Sequence, residues 1–453
     1  MNTVTTLINT SLLKAARRAL VGVTGLCLAA TVHAAIPISH WIQSTGAQVY
    51  LVESPAIPMV DVQIDFDAGG RRDPKGKPGL ANLMASSTAY GVKARGTEPP
   101  LDENALSDAW ADLGASFGGS ASADRLGFSL RSLTYPDLLE KATALAARQL
   151  GDASFPEAPW LRDRPKLVAS LKEANTRPAT LAGRAFARAV YGDHPYGAES
   201  TEETLGRISA ADMQALHAQA LLACSARVSV VGALSRAQAD ALVSKLLAYL
   251  PSTGCNALAP VPEVAPLAAA QEERIAFASA QAHVLLGQPG YKRNDPDFFA
   301  LTVGNHILGG GGFTARLTEE VREKRGLTYG VSSSFAPGLH AGAFTIGLQT
   351  RPDQAQQALD LVREVLVKFV AEGPTEKELQ AAKDNLIGGF ALRLDSNRKL
   401  LDNVANIAWN RLPLDYLETW TEQVQKLTVD DIRAAFGRTL QPEKMVTVVL
   451  GAE

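Results

Sequence analysis

The chain has 453 residues, which exceeds a typical single hydrophobic core and favours two or more domains. Hydrophobic residues make up 46% and charged residues 20%, as in an ordinary globular protein. The formal net charge of −3 argues against binding to nucleic acid or to an anionic membrane, since both need a basic surface.

Residues 1–34 are predicted to be a secretory signal peptide. Three basic residues and no acidic one precede the apolar run ALVGVTGLCLAA, and small residues lead up to a cleavage site near Ala34. The apolar run is too short to favour a membrane span, and no later run is long enough to be one. We therefore expect an exported protein, periplasmic in a bacterium, with a net charge of about −6 after cleavage.

The first clear strand is VDVQIDF, residues 60–66, in which every second residue is apolar. This alternation is typical of a sheet with one face covered by helices. The stretch GLANLMASSTAYG, residues 79–91, follows and has the apolar spacing of a short helix. Asn82 and Ser86 lie four residues apart on it, with Ala85 between them. That is the spacing of a helical metal site, but these residue types do not bind zinc.

The sequence contains an internal repeat. Residues 208–232 align without a gap with residues 427–451, and both read as an N-capped helix, a turn and a strand that ends at Gly. Residues 128–150 align in the same way with residues 344–366, each a strand, a turn containing Pro-Asp and a long helix. The two matches predict two similar α+β domains.

The predicted domains are residues 36–250 and 274–453, joined by a proline-rich extended linker at 251–273. Cys224 lies just before a predicted strand, and Cys255 lies just after the helix that follows that strand. A helix that returns antiparallel to its strand brings these two positions together, which predicts a disulfide in an exported protein. Two free buried thiols are the alternative.

A glycine-rich segment begins the second half. In NHILGGGGFTARLTEEVREKRGLTYGVSSSF, residues 305–335, the glycines Gly309, Gly310, Gly311 and Gly312 leave the backbone free to approach another chain. A helix is predicted from about Thr314 to Arg325, with Phe313, Leu317 and Val321 on its buried stripe and Gly326 as its stop. The alternative is a flexible turn before a surface helix, with Arg322 solvated and Tyr329 in the core.

The glycine-rich segment resembles that of the M16 zinc peptidases, which include pitrilysin and the mitochondrial processing peptidases. GLANLMASSTAYG, YGDHPYG (191–197) and the repeat agree with this resemblance. It implies an α+β fold of two homologous domains, each a mainly antiparallel sheet covered by helices, that face each other around a cleft and close on extended polypeptides.

The resemblance also implies what has been lost. The family's His-x-x-Glu-His motif stands here as Asn82, Ala85 and Ser86, so two zinc-binding histidines and the catalytic glutamate are absent. The third ligand of the family, a glutamate, should fall near LVASLKEAN, where Ala169 or Ser170 occupies the place and Glu173 lies close by. No metal is expected in this chain.

The resemblance assigns substrate contacts to an arginine and a tyrosine seven residues apart, which are Arg322 and Tyr329 here. The chain then reads as the non-zinc-binding subunit of an exported heterodimeric peptidase. Its glycine-rich loop and its Arg/Tyr pair would serve an extended peptide that is cleaved by a zinc-binding partner. The alternative is a non-catalytic peptide-binding or scaffold protein of the same fold.

Overall fold

Helices and strands follow one another along residues 36–451, the part of the chain that this computed structural model describes. The predicted signal peptide lies outside these residues. The strands are β1 (Ser39–Ile42), β2 (Gln48–Glu53), β3 (Met59–Phe66), β4 (Gly91–Val92), β5 (Leu101–Asp102), β6 (Ser116–Ala121), β7 (Leu126–Leu133), β8 (Arg227–Gly232), β9 (Gln271–Ile275), β10 (Ala282–Pro289), β11 (Val331–Phe335), β12 (Ala343–Thr350) and β13 (Val446–Leu450).

The helices of the first half are α1 (Leu80–Ser87), α2 (Glu103–Asp112), α3 (Pro136–Gly151), α4 (Glu157–Ala174), α5 (Pro178–Tyr191), α6 (Glu202–Gly206), α7 (Ala210–Ala220) and α8 (Arg236–Leu246). Those of the second half are α9 (Phe298–Asn305), α10 (Ala355–Glu372), α11 (Glu376–Gly388), α12 (Asn397–Asn410), α13 (Tyr416–Lys426) and α14 (Val429–Thr439). Among the residues described, none of the helices is both long and apolar enough to cross a membrane.

The two large sheets have the same topology. The first has the order β6-β7-β3-β8-β2-β1, and the second has the order β11-β12-β10-β13-β9. In both sheets the first four strands of this order are antiparallel to their neighbours, and the next strand is parallel to the fourth. Strand β1 is the single addition to the first sheet. The prediction of two homologous, mainly antiparallel units is therefore confirmed.

The repeat extends to individual side chains. Ser209 caps α7 through a capping box with Asp212, and Thr428 caps α14 through a capping box with Asp431. In each box the side-chain oxygens and backbone N–H groups of the two residues satisfy one another, which fixes the first turn of the helix. Both helices lead into a buried strand of the corresponding sheet, β8 or β13.

One helix of each half packs on the sheet of the other half. Helix α5 packs on β10 and β13, where Ala182, Ala185 and Phe186 join a buried cluster with Val446 and Val448. Helix α12 packs on β8, β3 and β2 of the first sheet. The expectation of a sheet with one covered face is therefore wrong, because the opposite face of each sheet is covered in part by the exchanged helix.

The segment predicted as a linker lies against the folded halves. It has no helix or strand up to Gln271, where β9 begins. Val264 is buried, and the carbonyl oxygen of Pro262 lies 3.0 Å from Nε2 of His194. The segment is therefore extended, as its prolines favour, and it contacts the folded halves around Pro262 and Val264 while most of its residues are exposed.

The YGDHPYG motif contributes a polar junction between the halves. The Tyr196 hydroxyl donates to Oδ1 of Asp124 at 2.7 Å and accepts the N–H of His340 at 3.2 Å. The other oxygen of Asp124 accepts the N–H of Leu339 at 2.9 Å. Asp124 belongs to the turn between β6 and β7, so this junction ties a hairpin of the first sheet to a turn of the second.

We expect His194 to make the protein less stable in acid. Its Nδ1 accepts the N–H of Tyr196, and its surroundings include His340, Glu263 and Asp124. Burial, which outweighs the carbonyl of Pro262, lowers the pKa of His194 below its usual value near 6.5. The unfolded chain therefore takes up the proton first, and the free energy of unfolding falls as the pH drops below about 6.5.

The measurement is chemical denaturation between pH 7 and pH 5 for the wild type and for His194→Gln. The variant should show a shallower loss of unfolding free energy, by at most about 1.4 kcal/mol per pH unit. An unchanged slope would remove His194 from the acid response.

Candidate functional site

Helix α1 carries the positions of the family's metal motif. It begins after Gly79, whose φ of 93° is in the left-handed region that glycine tolerates. The carboxylate of Asp73 accepts the N–H groups of Gly79 and Ala81 at 2.7 and 2.9 Å, so it caps the start of the helix. Burial raises the pKa of Asp73 to about 6 despite these bonds. The sequence analysis did not identify this cap, because Asp73 lies well outside the helix.

The three motif positions do not fit a zinc ion. Oδ1 of Asn82 accepts the N–H of Ala121 at 3.0 Å, and the hydroxyl of Ser86 donates to the carbonyl of Leu83 at 3.1 Å. Ala85 is fully buried and offers only a methyl group. Catalytic zinc sites need three imidazole, thiolate or carboxylate ligands. Within residues 36–451, no group of three or more His, Cys, Asp and Glu side chains is placed to hold a metal ion.

The carboxylate that helix α4 brings to this region is Asp163 rather than Glu173. The hydroxyl of Tyr90, just beyond α1, donates to Oδ2 of Asp163 at 3.1 Å. Arg162 and then Lys166 hold the pKa of Asp163 well below its usual range. Glu173 is exposed and pairs with Arg177. Sequence spacing alone could not distinguish the two acids, because helix α4 carries both.

The glycine-rich segment is tightly packed rather than loose. After α9 the chain makes a π-helical turn at His306–Gly310. A Cβ at Gly309 would lie 2.5 Å from the backbone nitrogen of Ser333 on β11, and one at Gly311 would lie 2.7 Å from the carbonyl of His306. Close approach therefore explains these glycines. Gly312 differs, since it has a φ of 65° and no atom near its Cβ position.

The helix after the glycines is shorter than predicted. A π-helical turn covers Thr318–Glu323, and Leu317 and Val321 are buried as expected. Phe313 is not on the buried stripe, because its side chain is 72% exposed. Gly326 ends the helix as predicted: it has a φ of 63°, and its N–H donates to the carbonyl of Arg322 at 2.9 Å.

Arg322 and Tyr329 both reach the surface at this end of the second half. The guanidinium of Arg322 is half-buried, and its Cζ lies 4.7 Å from the ring centroid of Phe313. The side chain of Tyr329 is 86% exposed, and its hydroxyl makes no hydrogen bond to any other described residue. The alternative that Tyr329 belongs to the core is therefore wrong.

Thr328 holds the turn that presents Tyr329. Its buried hydroxyl donates to the carbonyl of Gln349 on β12 at 2.5 Å and accepts the N–H of Gly330 at 3.1 Å. These bonds fix the backbone on both sides of Tyr329, so its exposed ring has a rigid base. No pattern in the sequence indicates this role of Thr328.

The structure does not join the two sets of site residues. In the described part of the chain, no hydrogen bond or ion pair links Asn82, Ala85 or Ser86 with Arg322, Tyr329 or the four glycines. The motif helix contacts β6, whereas the glycine-rich turn contacts β11, which is the equivalent edge strand of the other sheet. The chain therefore presents two separate surfaces.

The two cysteines of the described chain lie together. Cys224 is in the turn before β8, Cys255 follows α8, their Cα atoms are 6.1 Å apart, and the structure joins their sulfur atoms. The distance is within the range that a disulfide requires.

Comparison with known proteins shows the family. A sequence profile described as "Peptidase M16 inactive domain" matches residues 207–386. The crystal structure of a peptidase M16 inactive domain from Pseudomonas fluorescens is 36% identical and has a TM-score of 0.85, over 92% of this chain and 98% of that chain. This chain belongs to the M16 peptidase family. The resemblance to this family that the sequence shows is thus confirmed.

Other M16 relatives are more distant or are matched over a shorter length. The non-peptidase homolog YmxG of Helicobacter pylori is 26% identical over 402 residues, which are 86% of this chain and 88% of that protein. The uncharacterized zinc protease SCO5738 of Streptomyces coelicolor is 32% identical over 185 residues, or 40% of this chain. The match covers 39% of that relative's length.

Proposed function

We propose that this chain is the non-zinc-binding subunit of an exported heterodimeric M16 peptidase. A partner chain with an intact His-x-x-Glu-His motif would hold the zinc ion and carry out hydrolysis. This chain would supply Arg322, Tyr329 and the glycine-rich segment to the bound peptide. The predicted signal peptide is the reason for proposing that the complex is periplasmic.

The observation that carries the proposal is the contrast between the two surfaces. None of the three motif positions, Asn82, Ala85 and Ser86, carries a side chain of the kind that zinc requires as a ligand. The polar atoms of Asn82 and Ser86 are hydrogen-bonded within the chain. Tyr329 is exposed on the turn that Thr328 holds, and its hydroxyl has no partner among the described residues. Arg322 is half-buried but reaches the surface. An exposed phenol hydroxyl without a hydrogen-bond partner contributes little to the stability of the fold. It is available to contact another molecule.

The chemistry of the pair fits a peptide that is cleaved by the partner. A tyrosine hydroxyl can donate to the oxygen of an attacked carbonyl as negative charge develops on it. An arginine can fix a second carbonyl or a carboxylate of the peptide through its forked donors. Both groups act by binding and orientation, so the chain needs no metal of its own.

A second candidate is a non-catalytic peptide-binding or scaffold protein. The edge strand β6 favours it, because Ser116, Gly118 and Ser120 are exposed along a sheet edge to which no further strand of residues 36–451 pairs. An extended peptide can add to such an edge through main-chain hydrogen bonds. The relative that is called a non-peptidase homolog agrees with this reading.

The test compares the lone chain with the reconstituted complex. The tag-free chain, purified without chelators, should contain no stoichiometric zinc and should cleave no peptide above background. Addition of the zinc-binding partner should give activity that exceeds the partner's own. A zinc ion bound by this chain would contradict the proposal, and a partner with undiminished activity alone would favour the second candidate.

A further inference from the structure

Four cationic side chains follow the glycines, and three of them are engaged by carboxylates. Arg316 makes two hydrogen bonds to Glu378, at 2.6 and 2.9 Å. Lys324 and Arg325 both pair with Glu320, at 2.7 and 2.9 Å. Part of their hydrogen-bonding capacity is therefore used within the chain.

Arg322 is different from these neighbours. Its one ion pair joins Nε to Oε1 of Glu323 at 3.4 Å, and no hydrogen bond of its guanidinium is formed within residues 36–451. A guanidinium has five N–H donors in its plane. Apart from Nε–H, which faces Glu323, the donors of Arg322 are therefore left for another molecule.

The contact that holds Arg322 uses the face of the guanidinium instead. The ring of Phe313 lies under it, with 4.7 Å between Cζ and the ring centroid. A cation over an aromatic ring within about 6 Å is attracted by the electrons of the ring face. A contact with the electrons of a ring face uses no hydrogen-bond acceptor, so it does not occupy the N–H donors as a salt bridge would.

The backbone explains why Phe313 is available for this contact. Gly312 has a φ of 65°, a conformation that other residues rarely adopt, and the chain turns there before Ala315 and Leu317 enter the core. The turn leaves Phe313 72% exposed, although the buried positions Ala315 and Leu317 follow shortly after it. Core packing therefore does not explain why a large apolar side chain occupies this exposed position.

A second cation–π contact in the same region, between Arg316 and Phe369, has a structural role. Cζ of Arg316 lies 4.9 Å from the ring centroid of Phe369, which is fully buried. There the donors of the arginine are bound to Glu378. The pair of Phe313 and Arg322 keeps the stack but lacks such a carboxylate and is open to solvent.

We propose that Phe313 is a positioning residue, which holds the Arg322 guanidinium so that its free donors meet a carbonyl or carboxylate of the peptide. The inference rests on the proposed function, because it assigns the peptide contact to Arg322. Phe313 itself need not touch the substrate. Its role is to reduce the number of conformations that Arg322 loses when the peptide binds.

The first test is kinetic and uses the reconstituted complex. Phe313→Leu should raise KM about 2- to 5-fold with a smaller effect on kcat, as expected for the loss of one exposed cation–π contact. Phe313→Tyr should restore the wild-type KM, since it keeps the aromatic face. Arg325→Ala, which breaks a nearby surface ion pair with Glu320, is the matched control and should leave KM unchanged.

The second test needs no partner and no activity. In the NMR spectrum of the full chain, the Nε–H signal of Arg322 should be displaced by the ring current of Phe313 and should move in Phe313→Leu. Because Phe313 is exposed, this variant should fold normally and can be compared directly.

The outcomes distinguish a failure of this inference from a failure of the proposed function. If Arg322→Ala has no kinetic effect, the proposed role of Arg322 is wrong. If Arg322→Ala impairs binding but Phe313→Leu leaves both KM and the Arg322 signal unchanged, the role of Phe313 is overturned and the proposed function stands.

Discussion

Tyr329→Phe is expected to lower kcat of the assembled peptidase by about 10²–10³-fold, the usual effect of losing one oxyanion donor. The substitution removes a single oxygen atom. That oxygen has no hydrogen-bond partner among the described residues, and the ring is 86% exposed, so the fold should not depend on it. The loss should therefore appear in the chemical step and not in assembly.

The experiment requires the reconstituted complex, since the proposed function gives the lone chain no activity to lose. Tyr135→Phe is the matched control, because Tyr135 is also exposed (52%) but belongs to the first half. Arg322→Ala should raise KM as well as lower kcat, since it removes substrate positioning. If Tyr329→Phe and Arg322→Ala both assemble and cleave at the wild-type rate, the pair is structural.

Replacement of Cys224 and Cys255 by Ala is expected to lower the free energy of unfolding by about 3 kcal/mol. The two cysteines are 31 residues apart, and closure of a loop of this length restricts the unfolded chain. The bridge also ties the end of the first half to the turn before β8. The measurement is denaturant unfolding of the oxidised wild type and the variants.

The single variants provide the control. Either cysteine alone cannot form the bridge, so Cys224→Ala, Cys255→Ala and the double variant should lose nearly the same stability. Additive losses would mean that the two side chains act independently. Peptide mapping of periplasmic material without reductant should find the linked peptides, and two free thiols there would reject the disulfide.

Local features of the fold were predictable because their causes are local. The capping boxes at Ser209 and Thr428 are visible as residue patterns, and the strand alternation fixes which residues of β3 face the core. Because the sequence repeats, the elements predicted in one half are also predicted in the other, which implies a common topology. Gly326 could be placed as a helix end because only glycine readily adopts the required φ.

The exchange of helices α5 and α12 could not be predicted in the same way. An apolar stripe shows that one face of a helix is buried, but it does not show which sheet covers that face. Neighbours in sequence are the default partners, and here each helix packs on the sheet of the other half. Only the three-dimensional arrangement reveals this choice.

The candidate site also combines features that the sequence predicts with features that it does not. The replaced motif at Asn82, Ala85 and Ser86 could be recognised by comparison with a family pattern. Phe313 was misjudged, because a phenylalanine beside a helix normally joins the core, and the turn at Gly312 that exposes it depends on one dihedral angle. Thr328 and Asp163 act through contacts distant in sequence, with Gln349 and Tyr90, which no spacing rule predicts.

The most direct test of the proposed function is to isolate this chain from the cells that produce it and determine what accompanies it and how much zinc the complex contains. The account predicts a heterodimer with a second M16 chain that has the His-x-x-Glu-His motif. It also predicts one zinc ion per heterodimer, bound to that partner and retained there when the chains are separated. A chain that purifies alone, or a zinc ion that stays with this chain after separation, would contradict it.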